Sequence, residues 1–95
     1  MYYLNVWLTV KNPSDVATVR DLLTQCATLS REEPGCVRFE AYHSETDERR
    51  FLLCEQWESK GAWETHRQAR AVQEIYLPKV LPLAEREAHV CQRLG

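Results

Sequence analysis

Four aliphatic side chains, Leu4, Val6, Leu8 and Val10, alternate with Tyr3, Asn5, Trp7 and Thr9 at the start of the chain. Successive side chains leave a strand on opposite sides, so this period of two predicts a strand with two unlike faces. One face is wholly aliphatic. The other mixes two aromatics with an amide and a hydroxyl. Such a strand needs neighbours on both edges and cover for its aliphatic face. Ninety-five residues supply these from one domain, residues 1–95. A chain of this length buries only about 60–65% of its unfolded surface, so a dimer partner or a ligand would add to a marginal core.

The remaining segments follow from similar signals. Asn12-Pro13-Ser14-Asp15 reads as a helix start, with Asn12 as cap and Pro13 in the first turn. Val16, Val19, Leu22, Leu23, Cys26 and Leu29 recur at helical spacing and predict a helix to about Glu32. Glu33-Pro34-Gly35 stops it. Cys36 to Glu45 reads as a second strand, with Val37, Phe39, Ala41 and His43 on one face and Arg38, Glu40 and Tyr42 on the other. A polar turn leads to a third strand, Arg50 to Glu58, where Phe51, Leu53, Glu55 and Trp57 share a face. The short turn makes this pair an antiparallel hairpin. Ser59 caps a second helix carrying Ala62, Trp63, His66 and Arg67, with broken helicity through Val72, Ile75 and Tyr76. Pro78 and Pro82 predict irregular structure or short turns to Leu83. Residues 84–94 alternate as a fourth strand.

The order β-α-β-β-α-β is the ferredoxin-like α+β arrangement, one antiparallel sheet with helices on one face. The opposite face needs another cover. The expectation is that the Leu4, Val6, Leu8, Val10 row forms that open face and is buried by sheet-on-sheet pairing with a second copy, as a homodimer. The mixed face, with Asn5, then lies beneath the helices.

Composition excludes several function classes. Twelve basic against 14 acidic residues leave a net charge of −2, without the basic excess of a nucleic-acid binder. No apolar run approaches the ~18 residues of a membrane span, and no signal peptide precedes the first strand. A soluble, cytoplasmic protein is expected. Cys26, Cys36, Cys54 and Cys91 include no C-x-x-C pair and read as reduced, small hydrophobic residues. No phosphate loop, Ser-His-Asp set or spaced metal-ligand cluster is visible, so no metal site is expected.

Several residues stand out chemically. Asn5 sits mid-strand, where an amide facing a helix needs partners. Its amide holds a bound small molecule, or else bonds a neighbour or a water. Glu55 lies between Leu53 and Trp57 on a strand face that should be covered. Either it forms an ion pair, with Arg38 on the adjacent strand as candidate, or it serves as a base. His66 has an ordinary pKa suited to proton transfer near neutral pH, or else bonds a carboxylate or carbonyl. Trp63 lies one turn before His66, and with Trp57, Trp7 and Tyr76 it offers an aromatic wall or simply core. His43 and His89 have no evident role.

Three stretches carry a resemblance to a known family. They are Glu33-Pro34-Gly35-Cys36-Val37-Arg38-Phe39-Glu40, Phe51-Leu52-Leu53-Cys54-Glu55-Gln56-Trp57-Glu58-Ser59-Lys60-Gly61-Ala62-Trp63, and Glu64-Thr65-His66-Arg67. Together they resemble the antibiotic biosynthesis monooxygenase domain over nearly the whole chain. The resemblance implies a dimeric α+β barrel. It also implies oxygenation of a hydroquinone or a polyphenolic, polyketide-like molecule by dioxygen, without metal, flavin or other cofactor. His66 falls at a helix-two His common in the family, Glu55 at a frequent Glu, and Asn5 where haem-degrading relatives place a pocket Asn. That branch has a Trp where His66 stands and its axial His where this chain has Tyr76, so haem degradation is not its pattern. Two alternatives remain: an isomerase of a small phosphorylated or carbonyl signalling metabolite, and a non-catalytic dimeric ligand-binding or stress-response module.

Overall fold

A computed structural model describes all residues from Met1 to Gly95. Strand β1 (Tyr2–Val10) leads through a 3-10 turn (Pro13–Asp15) into helix α1 (Val16–Arg31). The hairpin of β2 (Cys36–His43) and β3 (Arg50–Trp57) follows, then α2 (Lys60–Arg67), a π-helix (Ala71–Val80), a second 3-10 turn (Leu81–Leu83) and β4 (Ala84–Cys91). The strands form one antiparallel sheet in the order β2-β3-β1-β4. This is the α+β ferredoxin-like architecture expected from the element order. Asn12 caps as its sequence position predicts: its Oδ1 accepts the Ser14 N–H at 3.0 Å. No helix is long and apolar enough to cross a membrane.

The two faces of β1 are reversed from the sequence-based expectation. Leu4, Val6, Leu8 and Val10 are buried within the single chain, the last two completely. They pack in one core with Val19, Leu23 and Ala27 of α1, Phe51, Leu53 and Trp57 of β3, and Val80. The reason is energetic. Fully burying a Val or Leu side chain contributes about 1.5–3 kcal/mol, so the helices settle on the aliphatic row. Tyr3, Asn5, Trp7 and Thr9 tolerate water and take the open face.

Two local corrections bear on the site. The β2–β3 register shifts between Cys36 and Arg38, inserting an extra residue into β2. Val37 at this bulge is exposed, while Phe39 is buried. A strand period read straight through Val37 fails because a bulge resets it. Pro78 does not leave an irregular segment. It lies inside the π-helix, whose wider turn accommodates a residue with no N–H to donate.

Candidate functional site

Beneath α2 and the π-helix, the core face of the sheet does not close completely. A cavity of about 310 Å³ remains, bounded by Leu4, Phe39, Leu53 and Glu55 from the sheet. Trp63 and His66 of α2, Tyr76 of the π-helix and Arg86 of β4 complete most of its wall. The lining is mainly apolar, and the volume is at the lower end of small-molecule sites, which run from roughly 300 to 1,000 Å³.

The polar centre of this wall is built by three elements. Strand period places Glu55 on the face of Leu53 and Trp57, between Leu4 and Phe39 of the neighbouring strands. Ser59 Oγ accepts the Ala62 N–H at 3.1 Å and fixes the start of α2, which carries His66 over Glu55. The Glu33-Pro34-Gly35 turn brings Glu33 to the other side of the imidazole. His66 Nδ1 lies 2.8 Å from Glu33 Oε1, and Nε2 lies 3.8 Å from Glu55 Oε1. Trp57 donates its indole N–H to that same Glu55 oxygen at 3.0 Å. The His66 ring packs against Trp57 and Phe39, with centroids 4.4 and 5.7 Å away.

Burial sets the proton affinities of this group. It pushes the Glu55 carboxyl up to about 7, against the Trp57 N–H and the Arg86 charge, which pull it down. It pushes the His66 imidazole below its ordinary value, while the Glu33 carboxylate opposes that shift. Burial thus raises the carboxyl and lowers the imidazole, which inverts their usual order and leaves Glu55 the stronger holder of a proton. At 3.8 Å the two stand just beyond hydrogen-bond distance, and a small approach of one to the other would let them exchange a proton.

A donor pair stands at the other end. The exposed Arg86 donates from Nε to the Tyr76 hydroxyl at 3.0 Å, which leaves the Tyr76 O–H free to donate. Burial pushes the Tyr76 hydroxyl above its ordinary value, with Arg86 opposing. Trp63 is stacked on Tyr2 at 5.0 Å and covered by the Arg67 guanidinium at 5.1 Å. Cys26 also lines the cavity, but burial pushes its thiol up to about 12, so it is not a nucleophile at neutral pH.

Of the residues singled out by sequence, His66, Glu55, Trp63 and Tyr76 meet at this cavity. Trp57 is fully buried and holds Glu55 instead of forming the wall. Asn5 and Trp7 lie on the open face, a consequence of the reversed faces of β1, and Arg38 lies there because the β2–β3 register sets it opposite Gln56. Asn5 donates its amide to Cys91 Sγ at 3.3 Å. Trp7 lies under the Arg50 guanidinium at 4.8 Å. Arg38 pairs with Glu40, not with Glu55, because the two sit on opposite faces. Asn5 and Arg38 border a separate hollow there with Tyr3, Gln56 and Cys91. His43 stacks on Phe51 at 4.1 Å and His89 sits beside Glu87, both away from the cavity. No group of three or more His, Cys, Asp or Glu is placed to hold a metal ion.

Three polar residues at the site have no role in the sequence reading: Glu33, Arg86 and Ser30, whose buried Oγ lines the cavity without a hydrogen-bond partner. Glu33 is masked as part of a helix-stop signal. Arg86 is signalled only by its parity with Ala84 and Ala88 on β4, where a cation shares the covered face.

Residues 1–76 match the family model described as antibiotic biosynthesis monooxygenase. The uncharacterized protein YjcS of Bacillus subtilis is 29% identical over 66 residues, 70% of this chain. The uncharacterized protein sll1783 of Synechocystis is 41% identical over 37 residues, 39% of this chain. These matches span 63% and 25% of the two relatives' own lengths. A Nitrosomonas europaea structure that carries the family's name superposes with a TM-score of 0.91 at 21% identity, covering 100% of both chains. Rv0793 from Mycobacterium tuberculosis gives 0.86 at 23% identity, covering 100% of this chain and 97% of its own. At such identities the likeness concerns the fold.

Proposed function

The chain belongs to the antibiotic biosynthesis monooxygenase family, and on that premise we propose that it oxygenates a hydroquinone or polyphenolic, polyketide-like molecule with dioxygen, without metal or flavin. The observation that carries this reading is an open apolar cavity whose one buried polar cluster is the Glu55–His66 pair. A packed, closed space would favour a non-catalytic module.

In this reading the ring of the substrate fills the cavity and one oxygen meets the Tyr76–Arg86 donors. Glu55, with His66 behind it, removes the phenolic proton. The electron-rich anion passes one electron to dioxygen, and the two radicals recombine at a ring carbon bearing hydrogen. The stored proton returns to the peroxide. Loss of one water, formed from the distal oxygen, that proton and the ring hydrogen, leaves a carbonyl at that carbon. Each turnover consumes one hydroquinone and one dioxygen and yields one hydroxyquinone and one water. The apolar wall suits this chemistry because it excludes water from the anion and the radicals.

Purified protein is expected to consume dioxygen with a hydroquinone faster than autoxidation. His66→Ala should lower that rate by about 10²-fold or more, the usual contribution of a positioned acid–base group. An oxygen electrode with a panel of one- and two-ring hydroquinones checks this; no uptake above autoxidation across the panel would count against the proposal. The same proton-handling pair also supports the isomerase reading, which predicts turnover under nitrogen.

We further propose a homodimer formed through the open face, where Trp7 and Tyr42 are exposed on either side of Leu52. A mixed face of this kind is an interface that also tolerates water. Sedimentation velocity at micromolar concentration should give twice the 11.1 kDa chain mass. Trp7→Glu should shift the boundary to the protomer without altering far-ultraviolet circular dichroism.

A further inference from the structure

Glu33 belongs to no sequence signal for chemistry, yet it holds the shortest polar contact to the site imidazole, 2.8 Å from His66 Nδ1. Its carboxylate is 15% exposed, against 6% for the His66 side chain and 5% for that of Glu55. The three groups form a line from the edge of the fold to the cavity wall. A buried neutral imidazole carries one N–H, and which nitrogen bears it is set by the partner of the other. Glu33 is an acceptor only, so Nδ1 must donate. Nε2 then turns a lone pair toward Glu55, and a proton on Glu55 has a place to go.

We propose that Glu33 is the positioning residue of this site: its carboxylate fixes His66 as the Nδ1–H tautomer and steadies the imidazolium formed when a proton crosses from Glu55 to Nε2. The inference rests on the acid–base role given to His66 and Glu55 above. The step is a proton transfer alone. The Glu55 O–H bond breaks, an Nε2–H bond forms, Nδ1–H stays on Nδ1, and the reverse transfer returns the proton. Other charged groups facing this cluster are few. Arg86 of β4 acts on Glu55 from across the cavity, and the Cys36 thiol of β2 lies near both Glu33 and Glu55, with Arg31 of α1 beside it. Phe39 and Trp57 close the remaining sides of the ring and bring no charge.

Nitrogen-15 spectra of the His66 ring in the ligand-free 95-residue chain at pH 8 test this without any substrate. The wild-type chain should show a protonated Nδ1 and an unprotonated Nε2. Glu33→Met removes the acceptor and should reverse the two signals, with Nε2–H now donating to Glu55. Glu33→Asp should keep the wild-type pattern, and Glu33→Gln should let His66 titrate at a lower pH than in wild type. In oxygen uptake, Glu33→Met should lower kcat by about tenfold or more and leave KM unchanged, because Glu33 does not touch the cavity. A wild-type ring protonated on Nε2, or a tautomer unchanged in Glu33→Met, overturns the proposal whatever the activity. The expected tautomers with no oxygen uptake by wild type would leave Glu33 in its positioning role and overturn the oxygenase reading instead.

Discussion

Glu55→Gln should stabilise the protein by about 3 kcal/mol at pH 8 and by nothing at pH 4, while reducing oxygen uptake by about 10²- to 10⁴-fold. The sign follows from burial. The Glu55 carboxyl ionises at an ordinary 4.5 in the unfolded chain and at about 7 in the fold. Below pH 4.5 it is neutral in both states, and burying it costs no charge. Between pH 4.5 and 7 the unfolded chain ionises freely while the fold resists, so stability falls steadily. Above pH 7 the fold holds a buried carboxylate, and the full cost, at 1.36 kcal/mol per pH unit of separation, is about 3 kcal/mol. The side chain is only 5% exposed, so solvent screens little of this. His66 acts in the opposite direction: its affinity is lowered in the fold, so its contribution is present above its ordinary pKa and is lost as the pH falls below it.

Gln suits the test because it matches Glu in shape and keeps, in the place of Oε1, an oxygen that accepts the Trp57 N–H. It has no proton to exchange. Urea melts of both proteins from pH 4 to 9 would give two curves that diverge between pH 4.5 and 7 and run parallel above. Parallel curves throughout would mean that Glu55 is already ionised at pH 5 and is held by a charge partner. A stability gain coupled to a loss of rate would identify Glu55 as a residue retained for chemistry at the expense of the core.

The element order and most of the cavity were legible because they depend on period and punctuation. β1 alternates, Pro13 and Ser59 mark helix starts, and Gly35 follows a helix stop. Glu55 was legible as an anomaly, a carboxylate in an apolar row. The direction in which a sheet face points was not. Alternation shows that β1 has two faces, but which of them the helices cover is decided by the summed burial of α1 and the π-helix, and the same pattern suits either arrangement. That single ambiguity carried Asn5 and Trp7 to the wrong side of the sheet, while Arg38 missed Glu55 because the register across β2 and β3 sets it opposite Gln56. The bulge at Val37 was hidden for a related reason: an inserted residue leaves no compositional mark when its neighbours are also apolar or charged. Glu33 was invisible because its partner lies 33 residues away, a contact made only by the tertiary fold.

The turn that delivers Glu33 also yields the largest expected loss of stability. Gly35 has φ +81°, a left-handed conformation that costs an L-residue about 1–2 kcal/mol. A Cβ built there would lie 2.6 Å from Ala62 Cβ, so α2 must move away from the turn. Forcing a methyl into a packed contact costs a further 1–3 kcal/mol, roughly. Gly35→Ala should therefore destabilise the fold by about 2–5 kcal/mol in urea melts. Both partners of the Glu33–His66 pair depend on this contact. Gly35 O accepts the Glu58 N–H at 2.8 Å just before α2, and Glu33 lies two residues upstream. Displacement of α2 separates His66 from Glu33, so the variant should also show altered His66 ring signals and slowed oxygen uptake while it remains folded. The two causes can be separated by adding Ala62→Gly, which removes the clash and leaves the backbone strain. The double variant should regain His66 signals close to wild type. It should recover little stability, since a glycine within α2 itself costs about 1 kcal/mol. Equal disturbance of His66 in the single and double variants would mean that backbone strain, not the Gly35–Ala62 approach, sets the distance between the turn and the imidazole.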